Sequence, residues 1–148
     1  MEGIQEAARL IKESNNAVVL TGAGISTGSG LPDFRSGKTG LWEKFDPDVY
    51  ASLNAFRYNP TNFYNWLFGF LKDFPQSEPN PAHKALAVLE KQCLIKTIIT
   101  QNVDGLHQVA GSETVIEVHG SMQSFTCIGC YKKYQDDTGK YQRFVQKK

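Results

Sequence analysis

Cysteine is scarce in this chain, three residues in 148, and an odd count with two of them close together does not make a disulfide scaffold. Charge of one sign is also missing. Sixteen basic residues face fifteen acidic ones for a net charge of +1, which leaves no footprint for direct nucleic-acid binding or for a membrane surface. The only basic cluster, Arg143, Lys147 and Lys148, is too small to alter that. No apolar run reaches the roughly 18 residues a membrane helix takes, so no membrane partner is expected. Glu2 and Glu6 stand where a leader peptide would be basic and then apolar, so no signal peptide is expected either. The setting this implies is reducing and cytoplasmic.

Composition is otherwise ordinary, with 41% hydrophobic and 21% charged residues, which excludes disordered, collagenous and coiled-coil chains. A domain of this length buries roughly 70% of its unfolded surface. Gly3 to Ser14 reads as an amphipathic helix with Ile4, Ala8 and Ile11 on one face. Val18 to Thr21 reads as a fully buried parallel strand. Gly28 to Pro47 is loop-like, with one helical turn at most. Thr61 to Phe74 carries Phe63, Trp66, Leu67, Phe70 and Phe74 at helical spacing. Asn80 caps a further helix that has Pro81 in its first position. Ala82, Ala85, Leu86 and Leu89 form the expected buried face of that helix, and Cys93 continues it as a small core residue. Leu94 to Thr100 and Val115 to Val118 are strands, with a short helix from Val103 to Ala110 between them. This alternation predicts an α/β fold with a parallel sheet and helices on both faces.

Chemistry gathers where the strands end, because open parallel sheets bind ligands beyond their carboxyl ends. The first strand runs into Gly22-Ala23-Gly24-Ile25-Ser26-Thr27, where two glycines let the backbone turn and approach a pyrophosphate. A dinucleotide fingerprint usually has a third glycine where Thr27 stands, so this is not the dehydrogenase pattern. The second strand ends in Gln101-Asn102-Val103-Asp104, and the third in His119-Gly120-Ser121. Taken singly, Asn102 or Asp104 reads equally as a helix cap, and His119 as a turn histidine. His83 and His107 read as structural hydrogen-bonding residues.

Together with Pro32-Asp33-Phe34-Arg35, the longer run Thr100 to His107 and the pair Cys127 and Cys130, these motifs resemble the sirtuins, NAD-dependent protein lysine deacylases. The resemblance implies a Rossmann-like NAD-binding part over residues 1–122, with a loop and helical insertion at about 28–80. The first half of a small zinc-binding module would follow over 123–148. It implies that Gly22, Ala23, Gly24, Ile25, Ser26 and Thr27 cradle the pyrophosphate and nearby ribose. Asp33, Phe34 and Arg35 would lie on a loop closing over NAD, with Trp42 at its end. Gln101, Asn102, Val103 and Asp104 would line the ribose and carboxamide pocket, with Asn102 also catalytic. His119 would be the general base, a task that suits imidazole near neutral pH. NAD would be consumed as a co-substrate: an acetyl-lysine protein or peptide gives up its acyl group to ADP-ribose, and nicotinamide leaves.

Sirtuins that prefer succinyl or malonyl lysine resemble one another in a Tyr-x-x-Arg pair. Here Tyr64 is followed by Leu67, which implies neutral acyl groups, acetyl first. Cys127 and Cys130 supply two of the four ligands a structural zinc takes, and residues 131–148 contain no further Cys or His. A redox role for this pair is the competing reading. The later strands of the family's sheet have no counterpart, so the sheet is expected to be incomplete on its C-terminal side, with an exposed strand edge and apolar patch. The chain reads as a truncated sirtuin whose own activity needs the missing part. A non-catalytic nucleotide-binding or interaction fragment, and a mono-ADP-ribosyltransferase, are the alternatives.

Overall fold

A computed structural model describes residues 2–37, 40–71 and 77–135. The basic tail and Phe74 lie outside the described residues. The chain divides into two compact units: Met1–Ile25 with Glu78–Met122, and Ser26–Ser77 with Gln123–Lys148.

The first unit is built on a three-stranded parallel sheet. Its strands are β1 (Val18–Thr21), β2 (Thr97–Thr100) and β3 (Val115–Glu117), in the order β1-β2-β3. Val18 aligns with Thr97 and Thr21 with Thr100, while Ile98 aligns with Val115 and Thr100 with Glu117. All three strands therefore end in step. Helix α1 (Glu2–Glu13) precedes β1, and α5 (Pro81–Lys91) and α6 (Leu106–Val109) flank β2. Asn80 caps α5 and Pro81 opens it, as the sequence predicts. Gly111, at φ 101°, follows the end of α6.

Side chains alternate across the sheet, and so does burial. Thr21, Ile98 and Thr100 are buried on one face. There α6 is tied to β1, since His107 Nε2 and Thr21 Oγ1 share a hydrogen bond of 2.9 Å. α5 joins through His83, whose ring meets that of His107 at 4.9 Å between centroids. The other face stays open. Val18 is 60% exposed, Leu20 70%, Ile116 52% and Val118 50%. The expectations of a fully buried β1 and of helices on both faces are thus corrected: among the described residues one face is covered. The open face, with Val18, Leu20, Ile99 and Ile116, is nevertheless apolar, the pattern of a sheet surface made to be covered. α1 likewise buries none of its residues, and Ile4 is 77% exposed.

Two further corrections concern α5. Its buried residues are His83 and Ala87, while Ala82 and Ala85 face solvent. Alanines carry too little apolar area to set the phase of the helix, and the buried imidazole sets it instead. Cys93 is exposed with φ 59°, in the left-handed turn that ends the helix, and is not a core residue.

In the second unit, the stretch read as loop holds a 3-10 turn (Leu41–Glu43) and leads into α2 (Pro47–Tyr50), α3 (Leu53–Tyr58) and α4 (Pro60–Leu71). Asp46 and Ser52 cap α2 and α3 by accepting the N–H groups of Asp48 and Ala55. A short antiparallel hairpin, β4 (Ser124–Thr126) and β5 (Lys133–Gln135), carries the Cys-x-x-Cys turn. Among the described residues no helix is long and apolar enough to cross a membrane.

Candidate functional site

The three strand ends of the first unit meet around the end of β2. On one side, the Gln101 N–H donates to Thr21 O at 3.0 Å, placing the glutamine beside the glycine turn. On the other, the Val118 N–H donates to Thr100 O at 3.0 Å, and the Met122 N–H to Val103 O at 3.2 Å. These two bonds bracket His119 and pin its turn against the Gln101–Val103 segment. Adjacent strands lie about 4.8 Å apart, so the tips of β1 and β3 are separated by roughly 10 Å, the scale of a nucleoside.

The glycine turn begins at Gly22 and passes into a 3-10 turn, Ala23–Ser29. The Ile25 N–H donates to Gly22 O at 3.1 Å, and Ile25 O accepts Nδ2 of Asn80 at 2.7 Å. Positive φ is confined, among described glycines, to Gly30, Gly105, Gly111 and Gly120. Neither Gly22 nor Gly24 therefore needs to be glycine for its backbone. Nor does packing require it: a Cβ on Gly22 would meet only Gln101 Nε2, at an ordinary 3.8 Å, and one on Gly24 would meet nothing within 4 Å. The two glycines keep clear a surface that the described chain does not fill.

Asn102 is buried, and its N–H donates to Thr100 Oγ1 at 3.0 Å. Asp104 spends one oxygen, Oδ1, on the Leu106 N–H at 3.0 Å, the local capping role left open in the sequence. His119 is exposed. The rings of His83 and His107 are buried on the covered face of the sheet, against Thr21. Burial holds both imidazoles below their ordinary pKa, with His83 adding to the effect on His107 and Asp104 opposing it in both. Sequence reasoning had the structural role of His107. It missed Thr21 as its partner and Asn80 as a tether of Ile25, since residues 86 and 55 positions apart leave no periodic signal.

At the opposite end of the sheet a cleft of about 500 Å³ is lined by Glu90, Cys93, Ile95, Lys96, Glu113 and Thr114, among others. The Glu90 carboxylate accepts the N–H groups of Glu113 (3.1 Å) and Thr114 (2.7 Å), a clasp between α5 and the start of β3. None of the strand-end motifs reaches it.

The second unit carries Ser26, Thr27, Asp33, Phe34, Arg35 and Trp42. Its loop is closed on itself. The Leu41 N–H donates to Asp33 O, and the Trp42 N–H to Phe34 O, both at 3.0 Å. The Asp33 carboxylate accepts the N–H and the hydroxyl of Ser36. A Cβ on Gly40 would lie 2.8 Å from Phe34 O, Ser36 N and Ser36 O, so only glycine fits there. Phe34 stacks on Trp42 at 4.9 Å, Trp42 on Trp66 at 5.9 Å and Trp66 on Phe70 at 5.6 Å, and Phe70 returns to Phe34 at 5.6 Å. This ring of four side chains fixes the loop to α4. Arg35 is left exposed.

Cys127 and Cys130 are exposed, with free thiols. Backbone N–H groups of Cys130 and Gly129, and the Cys130 side chain, hold the Cys127 thiol below its ordinary pKa. Such N–H groups aimed at sulfur suit a thiolate ligand, so the pair fits half of a tetrahedral zinc site. Among the described residues no group of three or more His, Cys, Asp or Glu could hold a metal.

A family model described as "Sir2 family" matches residues 22–148. The chain is 50% identical over 132 residues to an NAD-dependent protein deacylase 2 of Archaeoglobus fulgidus, covering 88% of this chain and 51% of that protein. Its fold superposes with a TM-score of 0.83 on a solved Sir2 enzyme at 47% identity, covering 99% of this chain and 56% of that one. A second solved Sir2 variant, bound to a deacetylated p53 peptide and 3′-O-acetyl-ADP-ribose, gives a TM-score of 0.82 at 42% identity, covering 94% and 56%. The chain spans about half the length of the relatives it matches.

Proposed function

This chain belongs to the Sir2 family, and from that premise we propose that it binds NAD across the carboxyl ends of β1, β2 and β3 and serves NAD-dependent deacylation of protein lysine. One observation carries the reading. Gly22 and Gly24 are bare where neither backbone nor packing requires it, and they follow β1 as Gln101 and Asn102 follow β2 and His119 follows β3, three strands whose ends are in register. The relative whose solved complex holds both a deacetylated peptide and an acetylated ADP-ribose supports the same chemistry.

In this reading Gly22 to Thr27 take the pyrophosphate and adjoining ribose. Gln101, Asn102, Val103 and Asp104 surround the nicotinamide ribose. NAD, when bound, supplies a ribose carbon that an acyl oxygen can attack once nicotinamide leaves. His119 takes the proton from a ribose hydroxyl, which lets that oxygen reach the acyl carbon. Asn102, held from below by Thr100, orients the ribose. By the family resemblance Asp33, Phe34, Arg35 and Trp42 belong to the NAD-binding residues, with Phe34 as the shield that keeps water from the reacting carbon. Leu67 in place of an arginine points to acetyl as the preferred acyl group. Cys127 and Cys130 hold zinc as two of four thiolate ligands, in a structural role. The three exposed free thiols suit a reducing, cytoplasmic setting.

The test is nicotinamide release from NAD in the presence of an acetyl-lysine peptide, compared between the native chain and His119→Ala. A steady-state rate that falls by at least about a hundredfold in the variant, with release in the first turnover retained, supports a base that acts after nicotinamide leaves. Stabilisation of the native chain by ADP-ribose without any release would make it a nucleotide-binding module and refute catalysis by this chain.

A further inference from the structure

We infer that Asn80 is a positioning residue for the glycine turn as well as the cap of α5. The inference rests on the reading of that turn as a nucleotide cradle. The Asn80 side chain works from both ends. Oδ1 accepts the N–H groups of Ala82 at 2.9 Å and His83 at 3.4 Å, which is the ordinary duty of an N-cap. Nδ2 donates to the carbonyl oxygen of Ile25 at 2.7 Å, 55 residues earlier in the chain. The partners fix the orientation of the amide. Turned over, its NH2 group would face two N–H donors and its oxygen would face a carbonyl.

Ile25 is the residue on which the turn closes. Its N–H returns to Gly22 O at 3.1 Å, and its carbonyl goes out to Asn80. The first bond shapes the turn from within, and the second ties that shape to a helix. A segment with two glycines in four residues has more backbone freedom than most, and an outside tether is what restricts it. A turn already held in one shape spares the ligand the cost of ordering it. Serine, threonine and aspartate also cap helices well, but of the favoured caps asparagine alone carries an NH2 beside its capping oxygen. The choice of asparagine is thus accounted for by Ile25 and not by the helix.

Two variants separate the roles. Asn80→Asp keeps the capping oxygen and adds a charge that favours a helix N-terminus, but sets an acceptor against Ile25 O. Asn80→Ser keeps a cap, lacks the reach and adds no charge, so it excludes simple repulsion of an anionic ligand. The readouts are amide hydrogen exchange and ADP-ribose affinity. The expected result in both variants is exchange at the Ile25 amide at least about tenfold faster, with the amides of α5 unchanged. ADP-ribose should bind about tenfold more weakly, the scale of one lost hydrogen bond. Unchanged exchange at Ile25 in both variants overturns the tether. Equal ADP-ribose affinity in native protein and variants, with Ile25 loosened, overturns the positioning role and leaves the cradle standing. A native chain that binds no ADP-ribose overturns the cradle, and the exchange data still decide the tether.

Discussion

Substituting Gly24→Ala separates a glycine kept for the fold from one kept for a ligand. In the folded chain the new methyl meets nothing within 4 Å, and φ at this position is not positive. The residue can therefore accept a Cβ without strain. Removing a glycine from the unfolded ensemble then stabilises the protein by about 0.4–1 kcal/mol. For a chain of this size that is a rise of about 1–4 °C in melting temperature. The ligand feels the opposite effect. A methyl intruding into a close-packed contact costs about 1–3 kcal/mol, which lowers affinity by roughly 5- to 150-fold. The assay pairs a thermal melt of the free chain with an ADP-ribose titration of the same sample. A higher melting temperature with weaker binding is the expected result. A lower melting temperature with unchanged affinity would refute the reasoning, because the glycine would then serve the backbone alone.

The other predictions address separate parts of the molecule. Gly40→Ala places a methyl 2.8 Å from three backbone atoms and should cost about 1–3 kcal/mol in denaturant unfolding, with a change in tryptophan emission as Trp42 leaves its stack; unaltered stability and emission would contradict the closed loop. The buried imidazoles of His83 and His107 are held below the ordinary value of 6.5, so below about pH 6.5 the unfolded chain takes up protons that the folded chain refuses. Stability should accordingly be full above that pH and fall steadily as the medium is acidified, and His107→Gln should flatten the slope; a native melting temperature that is level from pH 7 to 5 would count against buried neutral histidines. Cys127 carries the lowered thiol, so at pH 7 Cys127→Ser should remove the fastest phase of labelling by a thiol reagent and abolish the thiolate-to-metal absorption band seen on adding cobalt; persistence of both would remove the pair from any metal site. Leu67→Arg should raise turnover of succinyl-lysine relative to acetyl-lysine, and a native chain that already prefers succinyl-lysine would contradict the reading of Tyr64 and Leu67.

What was legible in the sequence was whatever short-range pattern encodes. The β-branched run at Val18, the Asn80-Pro81 start of α5 and the aromatic spacing of α4 each fixed an element within a few residues of its observed bounds. The Gly22, Gln101 and His119 strand ends were legible because parallel strands in register must bring them together. Less legible was which apolar surface finds a cover. Val18 and Leu20 carry the same signal as a buried strand, yet their face is open, since periodicity reports the composition of a face and not its neighbour. The phase of α5 went wrong because two alanines outweighed one histidine in the pattern, while in the fold His83 is the residue fully buried. Asp104 was ambiguous and is in part a cap, as the local alternative had it. The ties from His107 to Thr21 and from Asn80 to Ile25 join distant residues, and only the folded chain could display them.

The central claim is that the carboxyl ends of β1, β2 and β3 take the nucleotide. It is tested most directly by following backbone amide resonances of the native chain during titration with ADP-ribose. The account predicts the largest shifts at Gly22 to Ile25, Gln101 to Asp104 and His119 to Gly120. Shifts confined to the opposite cleft around Glu90, Lys96 and Thr114, or none at saturating ligand, would contradict it.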